Sequence, residues 1–250
     1  MKILGSDFDG TFNHNGIDDI KRNAVSGWRS QGNIFAIVSG RPIKDLLEIV
    51  KKFSFECDYL VAHNGAYIAK PDGSVISSTP CDSGIIVPLL KLLFENGCTW
   101  ASVGASTLWK VYADSKEGEL NSGYSLHNLP EIPWFTQICT KCADYATAEK
   151  LTKIIREYMG DVINPLQNGL YIDIVRADMN KAKGIYLLMD FVGAKYEDVI
   201  VVGDNVNDLD MIKEFKSYAM ENGVDMIKKI ADYTTPGVVE LIERESLINR

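Results

Sequence analysis

Two acidic clusters follow short apolar runs that are far apart in the chain. The first is Asp7-Phe8-Asp9-Gly10-Thr11, at the end of a mostly apolar stretch that begins at residue 2. Two carboxylates two residues apart at the end of a strand project toward the same side. Neighbouring carboxylates are costly unless a cation joins them, and oxygen ligands suit Mg²⁺. The cluster therefore predicts a metal-dependent site, although Asp9-Gly10 alone is typical of an ordinary turn.

The second cluster, Gly-Asp-Asn-Val-Asn-Asp at residues 203–208, directly follows a four-residue apolar run. Ligands of open α/β sheets bind beside the carboxyl ends of the strands. If the two strands are neighbours, Asp204 and Asp208 face the first cluster across a cleft and complete an oxygen-rich Mg²⁺ site. Asp and Asn also cap helices and form turns. That explanation does not account for both clusters following a strand.

Two further segments carry groups suited to a phosphate. Ser39-Gly40 follows the apolar residues 33–38 and precedes a predicted helix with Pro42 at its first position. A hydroxyl and backbone N–H groups at a helix start form a phosphate seat, although helix capping by Ser39 explains the same residues. Lys181 opens a later helix, where an ammonium would neutralise phosphate charge. Lys183 lies two residues on, and spacing alone does not choose between these lysines, either of which is also typical of a solvated surface.

Apolar runs alternate with helical patterns in the first and last thirds of the chain. Strands are predicted over residues 2–8, 33–38 and 199–202, with helices after each of them. Alternation of this kind indicates a mainly parallel sheet with helices on both faces. The predicted fold class is α/β, with a Rossmann-like doubly wound parallel sheet as its core.

The regular alternation of predicted strands and helices is interrupted between residues 82 and 176. Helical patterns over 85–95 and 147–159 alternate there with strand-like runs, and no low-complexity linker separates them from the rest. This mixture indicates an α+β domain inserted into the first. We therefore predict a core made of residues 1–81 and 177–250, and an inserted domain of residues 82–176.

Composition excludes several classes of protein. The formal net charge is -8 and no basic run is longer than a pair, so the chain lacks the electrostatic footprint of a nucleic-acid or membrane-surface binder. No apolar run approaches a membrane span, and Asp7 and Asp9 interrupt any signal peptide. The five cysteines are odd in number and irregularly spaced, which argues against a disulfide framework. We expect a cytoplasmic protein without nucleic-acid or membrane partners.

Together, the pieces at 7–11, 39–41, 181 and 203–208 resemble the signature set of the haloacid dehalogenase superfamily, in the expected order. Similarity to its Cof-type branch appears in His-Asn-Gly-Ala at 63–66, in Ala-Met-Glu-Asn at 219–222 and in the position of the insertion. The resemblance implies that the insertion is a cap that determines substrate specificity. Glu221 stands where that branch often has glycine, a departure that we interpret as peripheral.

The resemblance also implies a role for each matching residue. Asp7 would be the nucleophile, and Asp9 the general acid and base. The implied phosphate-binding residues are Ser39, Gly40, Lys181 and Asn207. The implied Mg²⁺ ligands are the Asp7 carboxylate, the Asp9 backbone carbonyl, Asp204 and, directly or through water, Asp208. Lys181 is chosen over Lys183 because Lys-x-x-Gly aligns with residues 181–184.

The activity expected from this resemblance is that of a Mg²⁺-dependent phosphatase acting through an aspartyl-phosphate. Its substrate would be a small phosphorylated metabolite, with a sugar phosphate favoured over pyridoxal phosphate or a flavin mononucleotide. A phosphomutase would use the same aspartates, and a receiver-like phosphoryl acceptor shares the acidic residues, the hydroxyl and the lysine. A sugar-phosphate binding protein without catalysis is a further alternative. The sequence leaves the oligomeric state open.

Overall fold

The computed structural model describes residues 1–105, 107–113 and 123–247. The chain divides into two compact units, one of Met1–Ser77 together with the residues from Asn180 onward, the other of Ser78–Met179. The division predicted from the sequence ended its first core segment at residue 81 and its insertion at residue 176, within a few residues of these limits. Among the described residues, no helix has both the length and the apolar character needed to span a membrane.

The first segment of the core unit alternates strands and helices. The N-cap of its first helix is Asp18, whose carboxylate accepts the Lys21 N–H at 2.9 Å, and the buried face of that helix carries Val25 and Trp28. Pro42, which was predicted at the first position of the next helix, is instead its N-cap residue, one position earlier. In chain order the elements are β1 (Ile3–Ser6), α1 (Asp19–Ser30), β2 (Ile34–Val38), α2 (Ile43–Phe53), β3 (Tyr59–Ala62), β4 (Tyr67–Ala69) and β5 (Val75–Ser78).

The second unit is built on a separate sheet. Its elements are β6 (Cys81–Asp82), α3 (Ile86–Glu95), β7 (Trp100–Gly104), β8 (Leu108–Tyr112), β9 (Tyr124–Ser125), β10 (Trp134–Phe135), β11 (Gln137–Lys141), α4 (Tyr145–Met159), β12 (Ile163–Asn168) and β13 (Tyr171–Arg176). The sheet order within the described residues is β12-β13-β11-β7-β8-β9, and its central strands pair antiparallel. Alternate strand residues such as Ala101, Ile138 and Ile174 pack with leucines of α3 and α4 in one apolar cluster.

The chain then returns to the core unit with α5 (Lys181–Val192), β14 (Val199–Gly203), α6 (Leu209–Glu214), β15 (Lys216–Met220), α7 (Asp225–Ile230), β16 (Tyr233–Thr235) and α8 (Val238–Leu247). Among the described residues the core sheet has eight strands, in the order β16-β15-β14-β1-β2-β3-β4-β5. It is parallel from β16 to β3, and β4 runs antiparallel to β3.

Helices cover both faces of this sheet. Leu4 and Val202 face a cluster that contains buried residues of α1, α2 and α8, while Ile3 and Val201 face a cluster with buried residues of α5, α6 and α7. The predicted α/β fold, a doubly wound and mainly parallel sheet with an inserted α+β unit, is confirmed.

The order of the strands positions the acidic clusters. β1 lies between β14 and β2, with Ser6 in register with Val202 on one side and Ile37 on the other. The N–H of Asp7 continues the ladder by donating to the Val202 carbonyl at 2.9 Å. Because parallel strands end at the same edge of a sheet, the loops after β1, β2 and β14 converge there.

Candidate active site

The loop after β1 separates its two carboxylates. Asp7 is buried, whereas the side chain of Asp9 is exposed. The backbone turns sharply at Gly10, whose φ is +81°, and the N–H of Asn13 donates to the Phe8 carbonyl at 2.8 Å. Phe8 and Phe12, both buried, anchor the turn in the apolar cluster between the sheet and helices α1, α2 and α8. The loop thus places one carboxylate inside the protein and the other at its surface.

The loop after β14 is organised by Asp208. Its Oδ2 accepts the backbone N–H groups of Asp204, at 2.9 Å, and of Asn205, at 3.0 Å. The side chain of Asp208 is completely buried, while those of Asp204 and Asn207 are partly buried. Charge-assisted bonds from backbone N–H groups fix a carboxylate firmly. Asp208 therefore holds the shape of the loop that carries Asp204.

Direct contacts join the two acidic loops. Thr11 Oγ1 donates to Asp204 Oδ1 at 2.7 Å. A third segment, after β15, also holds the first loop, since Asn222 Nδ2 donates to the Gly10 carbonyl at 2.9 Å. A Cβ atom at Gly10 would lie only 2.4 Å from Asp204 Oδ2, so only glycine permits this approach. Loops that are almost 200 residues apart in the chain form a single cluster as a result.

Lys181 lies inside this cluster. It is the first residue of α5, and Asn180 caps the helix by accepting the Lys183 N–H at 2.8 Å. Its Nζ lies 2.6 Å from Asp7 Oδ1 and 2.5 Å from Asp208 Oδ1, with no exposed surface. Lys183 is exposed. Of the two lysines left open by spacing, the structure brings Lys181 to the carboxylates.

Electrostatics at the cluster favour a bound cation. Burial raises the pKa of Asp7 well above its usual range; the Lys181 ammonium opposes this effect and the Asp208 carboxylate adds to it. Burial also raises the pKa of Asp204. Burial alone would lower the pKa of Lys181, but Asp208 and Asp7 raise it overall, so the ammonium stays protonated.

Oxygen atoms of Asp7, Asp204 and Asp208 lie within 4.8 Å of one another. Three carboxylates against the single ammonium of Lys181 leave an excess of negative charge, which a divalent cation would neutralise. An all-oxygen donor set of this kind matches the preference of Mg²⁺. The residues present therefore fit a magnesium ion.

The loop after β2 carries Ser39, Gly40 and Arg41. Ser39 is buried, its N–H donates to the Val61 carbonyl at 2.8 Å, and its Oγ accepts the Arg41 N–H at 3.2 Å. Gly40 is partly buried at the start of the segment that leads to α2. These residues follow the strand next to β1, at the edge of the sheet where the acidic loops lie.

Sequence reasoning gave no role to Thr11, Arg41 or Asn222, although each belongs to a motif that it singled out. Thr11 and Asn222 hold the first acidic loop, as described above. Arg41 contacts both carboxylate oxygens of Asp9, with Nε at 2.5 Å and Nη2 at 2.8 Å. Nothing local in the sequence pairs the Thr11 hydroxyl with Asp204, because the two residues are 193 positions apart. No local signal pairs Arg41 with Asp9.

His63 connects the Ser39 loop to the rest of the core unit. It is buried, its N–H donates to the Arg41 carbonyl at 3.1 Å, and its Nε2 accepts the Ile43 N–H at 3.3 Å. The next residue, Asn64, donates its N–H to the Ser39 carbonyl at 3.0 Å. This turn holds the backbone of the Ser39 loop at three points.

Comparison with known proteins supports one family. A model of the haloacid dehalogenase-like hydrolases matches residues 4–240. A phosphatase of 5-amino-6-(5-phospho-D-ribitylamino)uracil from Escherichia coli is 23% identical, and the alignment covers 89% of this chain and 86% of that one.

Solved structures share the fold. A haloacid dehalogenase-like hydrolase from Bacillus subtilis matches with a TM-score of 0.82 at 19% identity, over 97% of this chain and 99% of that one. A subclass IIB sugar phosphatase of the haloacid dehalogenase superfamily matches with a TM-score of 0.79 at 18% identity, over 98% and 99%. The resemblance predicted from the motifs, including its Cof-type assignment, is confirmed: the chain belongs to the haloacid dehalogenase-like hydrolase family.

Proposed function

We propose that this hydrolase is a Mg²⁺-dependent phosphatase that hydrolyses a small-metabolite phosphate monoester through an aspartyl-phosphate on Asp7. One observation carries the proposal. The Asp7 carboxylate lies 2.6 Å from a fully buried lysine ammonium and within 4.8 Å of oxygens of Asp204 and Asp208. A carboxylate so placed has a cationic partner for the phosphate it would attack.

In the first step an Asp7 carboxylate oxygen attacks phosphorus. The new O–P bond forms as the bond from phosphorus to the leaving-group oxygen breaks, and that oxygen keeps the electron pair. Asp7, the Asp9 backbone carbonyl and Asp204 would hold a Mg²⁺ ion, which when bound would supply charge neutralisation for a reaction between anions. The ammonium of Lys181 contributes in the same way, because a buried, fixed cation needs no reorganisation during the reaction.

Asp9 transfers the protons. A protonated Asp9 donates to the departing alkoxide, and its carboxylate then takes a proton from the water that attacks the aspartyl-phosphate. Hydrolysis releases inorganic phosphate and restores the Asp7 carboxylate. The exposed position of the Asp9 side chain suits a group that must contact both the leaving group and water.

The remaining predicted site residues would hold the phosphate and the loops. Ser39 and Gly40 offer a hydroxyl and a backbone N–H group, and Asn207 an amide. The Asp208 carboxylate already accepts hydrogen bonds from Lys181, Asp204 and Asn205. We therefore propose that Asp208 reaches the metal through water and chiefly positions Lys181.

A sugar phosphate is the proposed substrate class. Among the relatives, one is named as a sugar phosphatase and another as a phosphatase of a phosphoribitylamino-uracil. A sugar and a ribityl chain are both polyhydroxylated leaving groups. The inserted unit, residues 82–176 in the predicted division, is proposed to select among such groups. Cytoplasmic location stays a prediction.

The experiment is a phosphate-release screen over metabolite monoesters with Mg²⁺, run beside Asp7→Asn and Asp9→Asn. The panel includes hexose and pentose phosphates, pyridoxal phosphate and flavin mononucleotide. We expect turnover of a sugar phosphate, none by Asp7→Asn, and slowed chemistry in Asp9→Asn. Normal hydrolysis of p-nitrophenyl phosphate by Asp7→Asn would refute the nucleophile. Isomer formation in place of phosphate release would identify a phosphomutase, and a single turnover would identify a phosphoryl acceptor.

A further inference from the structure

The guanidinium of Arg41 occupies both oxygens of the Asp9 carboxylate. Nε lies 2.5 Å from Oδ2 and Nη2 lies 2.8 Å from Oδ1, the parallel arrangement that gives an arginine–carboxylate pair a fixed geometry. The same guanidinium lies over the ring of Phe8, 5.8 Å from its centroid. The Arg41 guanidinium is therefore fixed by the Asp9 carboxylate and by the Phe8 ring.

The backbone of Arg41 is fixed as well. Its N–H donates to Ser39 Oγ at 3.2 Å, and its carbonyl accepts the His63 N–H at 3.1 Å. The arginine thus extends from a backbone anchored at the end of β2, next to the strand that leads to Asp9. Because the Arg41 backbone is fixed, the position of its guanidinium, and with it that of the Asp9 carboxylate, depends on the Ser39 loop.

The pair is poorly placed to stabilise the fold. The Arg41 side chain is 39% exposed and that of Asp9 48% exposed. Exposed ion pairs contribute little to stability, since solvent screens the attraction and two side chains lose freedom. What the two parallel hydrogen bonds do supply is orientation: they define the plane of the carboxylate and the directions of its remaining lone pairs.

We propose that Arg41 is a positioning residue for proton transfer: it fixes the plane of the Asp9 carboxyl, so that the O–H of the protonated group points to the leaving group while both oxygens still accept from the guanidinium through their other lone pairs. The inference rests on the proposed function, because it assumes that Asp9 is the general acid. It adds a residue to which the sequence motifs gave no role. It also explains why an arginine follows Ser39-Gly40, since a lysine ammonium cannot make two parallel bonds to one carboxylate.

The test uses leaving groups that differ in their need for a proton. The ratio kcat/KM reports the steps up to departure of the leaving group, so it isolates the acid role from the later hydrolysis of the aspartyl-phosphate. p-Nitrophenolate leaves without protonation, whereas a sugar alkoxide does not. We expect Arg41→Ala to lower kcat/KM for the best sugar phosphate of the screen about 10²-fold. For p-nitrophenyl phosphate we expect a loss of less than about 5-fold.

Two further variants decide how Arg41 acts. Arg41→Lys keeps the charge without the parallel bonds, and we expect it to show most of the loss for the sugar phosphate. In an Asp9→Asn background, Arg41→Ala should cause almost no additional loss, because a residue that acts through Asp9 has nothing left to position. An additive loss in the double variant would mean that Arg41 contacts the substrate itself, and would overturn the inference.

Arg29→Ala is the matched control. Arg29 makes the same kind of forked contact with Asp58, elsewhere in the core unit, with Nε donating to Oδ2 and Nη2 to Oδ1, so it tests the cost of breaking such a pair away from the site. We expect unchanged kcat/KM for both substrates. Equal losses of kcat/KM on both substrates in Arg41→Ala would contradict the positioning role without contradicting the proposed phosphatase activity. Normal phosphatase activity in Asp7→Asn would instead contradict the proposed mechanism, in which Asp7 is the nucleophile.

Discussion

The Nζ atom of Lys181 lies 2.5 Å from Oδ1 of Asp208, and neither side chain is exposed. A second carboxylate, that of Asp7, lies 2.6 Å from the same ammonium. Burying such charges has a large desolvation cost, and an apolar replacement of the whole cluster would often be as stable. The arrangement is therefore better explained by the chemistry of the site than by the stability of the fold.

Lys181→Met should damage both stability and activity. The change leaves two buried carboxylates without their cation, so we expect the free energy of unfolding in metal-free buffer to fall by about 3–5 kcal/mol. Phosphate release should fall at least about 10²-fold, because a fixed positive charge beside the transferred group is lost. Urea unfolding and a phosphate-release assay measure the two effects.

Lys183→Met serves as the control, since Lys183 is exposed two residues along the same helix. Its free energy of unfolding should change by no more than about 0.5 kcal/mol. Loss of activity in this variant with normal activity in Lys181→Met would show that the alignment had chosen the wrong lysine.

Helical geometry explains why spacing alone could not choose between the lysines. Residues two apart on a helix point in nearly opposite directions, so only one of Lys181 and Lys183 can face the carboxylates. The face that turns inward depends on how α5 packs against the sheet, and that packing involves β2 and β3, which lie far from α5 in the sequence. The family resemblance chose Lys181, and the structure places it beside Asp7.

Local patterns were sufficient for the central strands of the core sheet and insufficient for β11 and β12 of the second sheet. Buried parallel strands such as β1 and β14 read as apolar runs, so both were predicted. β12 was not predicted, because Pro165 and amide residues interrupt its pattern. It lies at the edge of its sheet, where proline is tolerated. The pairing of Arg41 with Asp9 was inaccessible for a related reason, since it depends on which strands are neighbours.

Gly10→Ala should disrupt the contact between the acidic loops. Gly10 and Gly16 both have positive φ, +81° and +87°, but a Cβ at Gly10 would lie 2.4 Å from Asp204 Oδ2, while nothing lies within 4 Å of one at Gly16. Alanine at either position strains the backbone by about 1 kcal/mol. Only Gly10→Ala also displaces Asp204, so we expect it to lower kcat about 10²-fold. Gly16→Ala should keep normal kcat; similar kcat values for the two variants would exclude a specific role of the contact.

Thr11→Val should raise the Mg²⁺ concentration needed for half-maximal activity. The variant keeps the shape of the side chain but removes the hydroxyl that donates to Asp204 Oδ1 at 2.7 Å. Residues that orient a metal ligand typically change affinity about 10-fold to 100-fold when removed. Titration of Mg²⁺ into chelator-treated enzyme measures the effect, and Thr11→Ser should behave as the parent. An unchanged Mg²⁺ requirement in Thr11→Val would argue against Asp204 as a ligand.

The buried imidazole of His63 should make stability depend on pH. Burial lowers the pKa of His63 to about 4, from an ordinary value of 6.5. The neutral ring accepts the Ile43 N–H at 3.3 Å through Nε2, a bond that the protonated ring cannot make. Between these two pH values the unfolded chain binds the proton more readily than the folded one. The free energy of unfolding therefore falls as the pH drops from about 6.5 to about 4, by up to roughly 3 kcal/mol from this group.

His63→Gln tests this pH dependence, because glutamine keeps an acceptor and does not titrate. Carboxylates contribute equally to both proteins, so the difference between their urea-unfolding curves isolates the histidine. We expect the parent to lose more stability than His63→Gln over that pH window. The difference in free energy of unfolding between the two proteins should level off below a pH of about 4. His127→Gln, at an exposed position, should follow the parent. Parallel pH profiles for the parent and His63→Gln would mean that the ring binds its proton equally well in the folded and unfolded protein, and that the Ile43 hydrogen bond does not hold the Ser39 loop.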